Sequence, residues 1–175
     1  HKEYRRQRQM CIRDSRERWD RERQRIQQWI EAHCWSEERQ AYLFYPDSDR
    51  LDASLALAVR FGYPSKERMR STLEAIDHDL GAGAFHYRCT DAQEEEGCFL
   101  ACTFWLIEAW AILGNQERAE AAYADALKGL SHGVGIYSEM VDPQTGQYLG
   151  NLPQGLTHLA ALRAAMAISG CHPER

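Results

Sequence analysis

The segment GCFLACTFWLIEAWAIL, residues 97–113, constrains this chain more than any other. At 3.6 residues per turn its apolar side chains cover nearly every face, and such a helix is stable only where protein surrounds it on most sides. The chain must therefore supply several other helices to enclose it. Gly114 ends the segment, and QERAEAAYADALKGL follows after Asn115, which reads as a cap. This second helix is alanine-rich, with its charges on one side, as expected of a partner with one wet face.

The same alternation runs through the rest of the chain. Residues 16–33 place Trp19, Ile26, Trp29 and Ile30 at helical spacing among Arg, Glu and Gln, which predicts a helix with one buried stripe. Asp52 opens a helix that Gly62 and Pro64 close. Ser65 caps the next, SKERMRSTLEAIDHDL, with Met69, Leu73, Ile76 and Leu80 inward. The last runs from Pro153 to about Ser169, with Gly170 after its end. Six helices alternating between apolar and amphipathic imply an all-α fold in two layers of hairpins. The weakly polar helices 51–62, 97–113 and 153–169 form the inner layer.

Composition excludes several classes of function. A net charge of −5 with both signs interspersed, and a basic start without aromatic platforms, argue against a nucleic-acid surface. No apolar run reaches the roughly 18 residues of a membrane span, and no signal-peptide core follows the basic start, so the chain reads as cytoplasmic. The six cysteines, at 11, 34, 89, 98, 102 and 171, form no CxxC pair and have no His at finger spacing. They indicate neither zinc nor a disulfide framework, and no cofactor motif is present; Cys98 and Cys102, four apart, read as buried thiols on one helical face.

Each inner helix is preceded by an irregular segment, and these three segments should meet on one rim. Together they offer Tyr45, Asp52, Tyr87, Arg88, Glu94, Glu95, Glu96, Tyr137, Glu139, Asn151 and Gln154, with His158 one turn into the last helix. Carboxylates, a planar guanidinium, amides and aromatic faces suit a hydroxyl-rich ligand, since each sugar hydroxyl wants both a donor and an acceptor. The longest of the segments, GIYSEMVDPQTGQYLGN (135–151), holds Glu139 between apolar and aromatic neighbours, with DPQTG as a turn. Such an acid is either a solvated hairpin carboxylate or one placed for chemistry. Asp52 is a helix cap or a ligand contact, and Arg88 holds a ligand or pairs with an acid. His158 faces the cavity floor or is a hydrogen-bonded core histidine. Within the run Glu94–Glu96 only Glu96, next to the inner helix, reads as more than a wet surface.

The ordered strings EEEGCFLACTFWLIEAWAILGNQERAEAAYADAL and GIYSEMVDPQTGQYLGNLPQGLTHLAALRAA resemble the C-terminal part of bacterial glycoside hydrolase family 15. That family comprises glucoamylase-like enzymes, glucodextranases and some trehalases. RERWDRERQRIQQWIEAHCW and LDASLALAVRFGYP resemble its preceding segments, so the likeness covers residues 16–170, leaving a tail at 171–175. It implies half of an (α/α)6 toroid, three helical hairpins in two layers, and hydrolysis of α-glucosidic bonds with inversion. Glu139 would be the general base, and Arg88, Glu96, Asp52, Tyr137, Gln154 and His158 would contact the carbohydrate. The family's general acid lies in an earlier Trp-Glu segment, and this chain has no Trp-Glu dipeptide. Residues 1–15 match nothing in the family and read as a disordered or artefactual leader. MCIRDS resembles translated sequencing-adapter sequence, so the chain reads as a piece of a longer protein, inactive alone.

A rival reading is an interaction scaffold. EAWAILGNQERAEAAYADAL resembles a tetratricopeptide hairpin, but no second copy follows at the 34-residue period and the long 131–152 loop has no place in such an array. Another toroidal enzyme, such as a polysaccharide lyase, is the third alternative.

Overall fold

A computed structural model describes residues 2–92 and 97–171, with backbone alone for 2–14. The chain divides into two compact units, His1–Trp35 and Ser36–Arg175.

The first unit is one helix, α1 (Lys2–His33), which runs without interruption across the expected boundary at residue 15. The helix at 16–33 is present, but its stripe is open: Trp19 is 72% exposed, Ile26 56% and Trp29 49%. A helix that is a unit by itself has nothing within that unit on which to bury an apolar face. Trp29 stacks on His33 one turn on, with ring centroids 4.8 Å apart.

Two short strands come next, β1 (Trp35–Ser36) at the boundary between the units and β2 (Ala41–Tyr42) in the second unit. The helix expected over 51–62 is shorter, a 3-10 turn (Ala53–Ala56) leading into α2 (Leu57–Arg60). Its start is held by an extended pairing of Leu51–Ala53 with Arg88–Thr90, in which Ala53 N–H donates to the Arg88 carbonyl at 2.8 Å and Thr90 N–H to that of Leu51 at 3.1 Å. Helix α3 (Lys66–Leu80) buries Met69, Leu73, Ile76 and Leu80, as its periodicity requires, and adds Thr72. The hairpin of β3 (Gly81–Ala82) and β4 (Phe85–His86) follows.

Helix α4 (Leu100–Ile112) is buried along almost its whole length. It begins three residues later than expected because Cys98–Phe99 instead form strand β5, the edge of a three-stranded sheet with β6 (Met140–Val141) and β7 (Tyr148–Leu149). Cys98 and Cys102 are both buried, but on a strand and a helix rather than one helical face. These small sheets were not legible as strands, since two-residue strands carry no period.

Helix α5 (Gln116–Gly129) packs back on α4 after a three-residue connection. Helix α6 (Gly155–Ile168) lies against α4 and α5. Pro153 precedes α6, joined to Leu152 by a cis peptide, and Gln154 takes the capping position. Asn115 and Ser65 occupy capping positions without a side-chain bond, because their ψ angles of 68° and 73° fall short of the extended backbone that aims a capping oxygen at the first turn.

One buried charge holds the core together. Glu108 of α4, 2% exposed, receives Arg60 of α2 through Nε at 2.9 and 3.0 Å, and Arg163 of α6 at 3.1 and 3.2 Å. This triad ties together the three segments predicted to be inner.

α6 also shows a large apolar face to solvent. Leu156, Leu159, Leu162 and Met166 recur at helical spacing and are 41–63% exposed. Contiguous apolar surface of this kind drives association. The isolated chain is expected to self-associate in light scattering at micromolar concentration, and Leu159→Glu with Leu162→Lys to shift it toward monomer. A wild-type monomer across that range would show that the stripe is too small to drive association.

Candidate active site

The segment Tyr137–Glu139 is fastened to α6 and to α4 by its own backbone. Tyr137 N–H donates to His158 Nε2 at 3.3 Å, and the Tyr137 carbonyl accepts Gln154 N–H at 2.9 Å. The Ser138 carbonyl accepts the Thr157 hydroxyl at 2.9 Å. Glu139 N–H donates to the Asn151 carbonyl at 2.9 Å, and the Glu139 carbonyl accepts Leu100 N–H from the first turn of α4 at 3.1 Å. Burial of Ser138 and Thr157 removes water as a competitor for these bonds. Tyr137 and Ser138 are thus tied to the start of α6 and Glu139 to the start of α4, more restraint than an ordinary surface loop has.

The carboxylate itself is half-buried. Its Oε2 accepts two donors from one residue, Asn151 Nδ2 at 2.8 Å and Asn151 N–H at 3.2 Å. Among the described residues Oε1 has no hydrogen-bond partner. One oxygen is thus restrained by Asn151 and the other is not.

His158 serves this loop with both ring nitrogens. Nδ1 lies 2.8 Å from the Gln154 carbonyl, so it carries the hydrogen, which leaves Nε2 to accept from Tyr137. The ring stacks on Tyr137 with centroids 5.2 Å apart. His158 is therefore a hydrogen-bonded histidine that holds the loop. Gln154 likewise uses its side-chain oxygen, 3.3 Å from Leu156 N–H, to cap α6.

Asp52 and Arg88 lie near the same end of α4. Asp52 pairs in extended backbone with Cys89 and caps the 3-10 turn through Oδ1, 2.7 Å from Ser54 N–H. The charges of Asp52 and Arg88 both act on the Cys102 thiol in the first turn of α4, whose pKa is pushed up chiefly by burial, with Asp52 adding to the rise and Arg88 opposing it. Arg88 is exposed. The Cys98 thiol is pushed up to about 12, again by burial first and by Asp142 second. Asp142 lies below the usual carboxylate range because Gln144 and Thr145 N–H groups hold its charged form within the turn, which matches the turn expected at DPQTG.

The structure thus brings Asp52, Arg88, Tyr137, Glu139, Gln154 and His158 to the N-terminal ends of the 3-10 turn, α4 and α6. Glu96 lies outside the described residues. Among the described residues no cluster of three or more His, Cys, Asp or Glu could hold a metal ion, and no helix is long and apolar enough to cross a membrane. Sequence reasoning placed Asn151 on the rim without a role, and Gly150 escaped it entirely. The only signal was their adjacency, since a glycine of positive φ beside an amide marks a close approach.

In sequence, the chain is similar to several trehalases. The chain is 37% identical to a trehalase of Mycolicibacterium smegmatis over 69% of its own length and 19% of that enzyme. It is 31% identical to a trehalase of Thermoplasma acidophilum over 80% of its length and 27% of the relative, and 26% identical to trehalase 1 of Sulfolobus acidocaldarius over 85% and 27%. The chain is related in sequence to trehalases over most of its length, and spans about a fifth to a quarter of theirs. No family model matches it, and no solved structure does.

Proposed function

We propose that this chain is the part of an inverting α-glucoside hydrolase, acting on trehalose, that carries the general base. The observation that supports it is the Glu139 carboxylate, held on a backbone-locked loop with one oxygen restrained and the other open. An inverting glycosidase needs such a carboxylate on the face of the sugar opposite the leaving group. Glu139 Oε1 takes a proton from water as the water oxygen bonds to the anomeric carbon. The glycosidic C–O bond breaks, and its oxygen is protonated by a carboxylic acid about 6.5–9.5 Å from the base. That acid comes from residues outside this chain, together with the remaining hairpins of an (α/α)6 toroid of which α2 to α6 form part. The chain alone is then inactive.

Arg88 and Asp52 contribute charged hydrogen-bond partners to sugar hydroxyls. Tyr137 offers an aromatic face, while Gln154 and His158 act mainly by holding that ring and the base. Among glucoamylase-like, glucodextranase and trehalase specificities, the trehalase relatives favour the last. The test is glucose release by the complete protein from trehalose, maltose and isomaltose. Trehalose should be turned over fastest; absence of turnover on all three would overturn the hydrolase reading.

A further inference from the structure

We propose that Asn151, with Gly150, is the positioning pair that decides which oxygen of Glu139 acts as the base, a role that rests on the general-base reading above. Asn151 holds Glu139 at both ends: its carbonyl accepts the Glu139 N–H at 2.9 Å, and its backbone and side-chain N–H groups converge on Oε2. An ionised carboxylate only accepts, so the side-chain amide must face it with nitrogen rather than oxygen. The terminal torsion of a glutamate is broad when nothing holds it. Two donors on one oxygen remove that freedom and saturate Oε2, which leaves the lone pairs of Oε1 aimed at the water.

Gly150 makes this contact possible. Its φ is +72°, and a Cβ there would lie 2.9 Å from Glu139 Oε2 and 3.1 Å from Glu139 Cβ. Any side chain at position 150 would push the carboxylate off Asn151. A purely structural Asn151 explains less, because its side chain is exposed and could satisfy its amide with water, and the turn is already closed by the bond through its carbonyl.

The experiment uses the complete protein with trehalose, and compares Asn151→Ala, Asn151→Asp and Gly150→Ala with Glu139→Gln. Loss of the amide should lower kcat about 10- to 100-fold, the scale of a small misplacement of a catalytic group, while KM changes little and the melting temperature of Asn151→Ala stays near wild type. Asn151→Asp should be worse than Asn151→Ala, although aspartate is the closer fit in shape, because it sets a negative charge against Oε2. A structural role would give the reverse order. If Glu139→Gln is inactive while the Asn151 variants keep wild-type kcat, or if Asn151→Asp outperforms Asn151→Ala, the positioning role is overturned and the base assignment stands. Near-normal turnover by Glu139→Gln removes the base assignment and this role with it.

Discussion

On the proposed hydrolase reading, Glu139→Gln in the complete protein is expected to lower turnover about 10²- to 10⁴-fold, the range for loss of a positioned base. Glutamine keeps the length of the side chain, and its carbonyl oxygen can still accept the two Asn151 donors, so the loop should stay in place. What it cannot do is take a proton from water, and KM should therefore move little. Glu139→Ala adds a second readout. The removed side chain leaves room beside the anomeric carbon for azide, which needs no base. Activity restored by azide should yield a β-glycosyl azide from the α-glucoside, because attack comes from the face that water uses. Recovery of the α-azide instead would place the nucleophile on the wrong side of the sugar.

The largest effect on stability is expected at Glu108. It lies eight residues beyond Leu100, about 12 Å along α4 at 1.5 Å per residue, so it acts on the fold rather than on the sugar. Removing one partner of a buried ion pair typically costs about 3–5 kcal/mol, because the remaining charges lose their compensation without regaining water. Glu108→Ala should fall in that range by urea denaturation, with Arg60 and Arg163 left facing each other across the gap. Arg163→Ala should cost less, since Arg60 still meets both carboxylate oxygens through Nε. Replacing all three by Met or Leu should recover much of the loss, as apolar packing can match a buried triad. A loss below about 1 kcal/mol for Glu108→Ala, the level of a surface pair, would show that the triad is solvated.

Several elements were legible because their signal is periodic. The apolar α4, the inward face of α3 and the alanine-rich α5 each repeat their pattern over three or more turns, and they form where the pattern places them, apart from the three residues that α4 gives up at its start. The turn at DPQTG was legible from Pro and Gly. Where the signal is a single residue or a long-range pairing, sequence reasoning fails. The helix at 51–62 shrinks because Leu51–Ala53 pair with residues almost forty positions away. The stripe on α1 has the right spacing but nothing within its own unit to cover it.

The site divides in the same way. Glu139 stands out in the sequence by its apolar and aromatic setting, whereas the contacts that Asn151 and Gly150 make with it depend on two strands closing a hairpin. Glu108 was hidden inside an apolar helix, where one acid hardly alters the pattern. Its partners Arg60 and Arg163 lie 48 and 55 residues away.

The most direct test of the account is the anomeric form of the first glucose released from trehalose by the complete protein, followed by proton NMR before mutarotation sets in. Inversion by a Glu139-activated water gives one β-glucose from the attacked ring and one α-glucose from the leaving ring, so the two should appear in equal amounts from the first spectra. Release of α-glucose alone would mean retention, and would contradict the role assigned to Glu139.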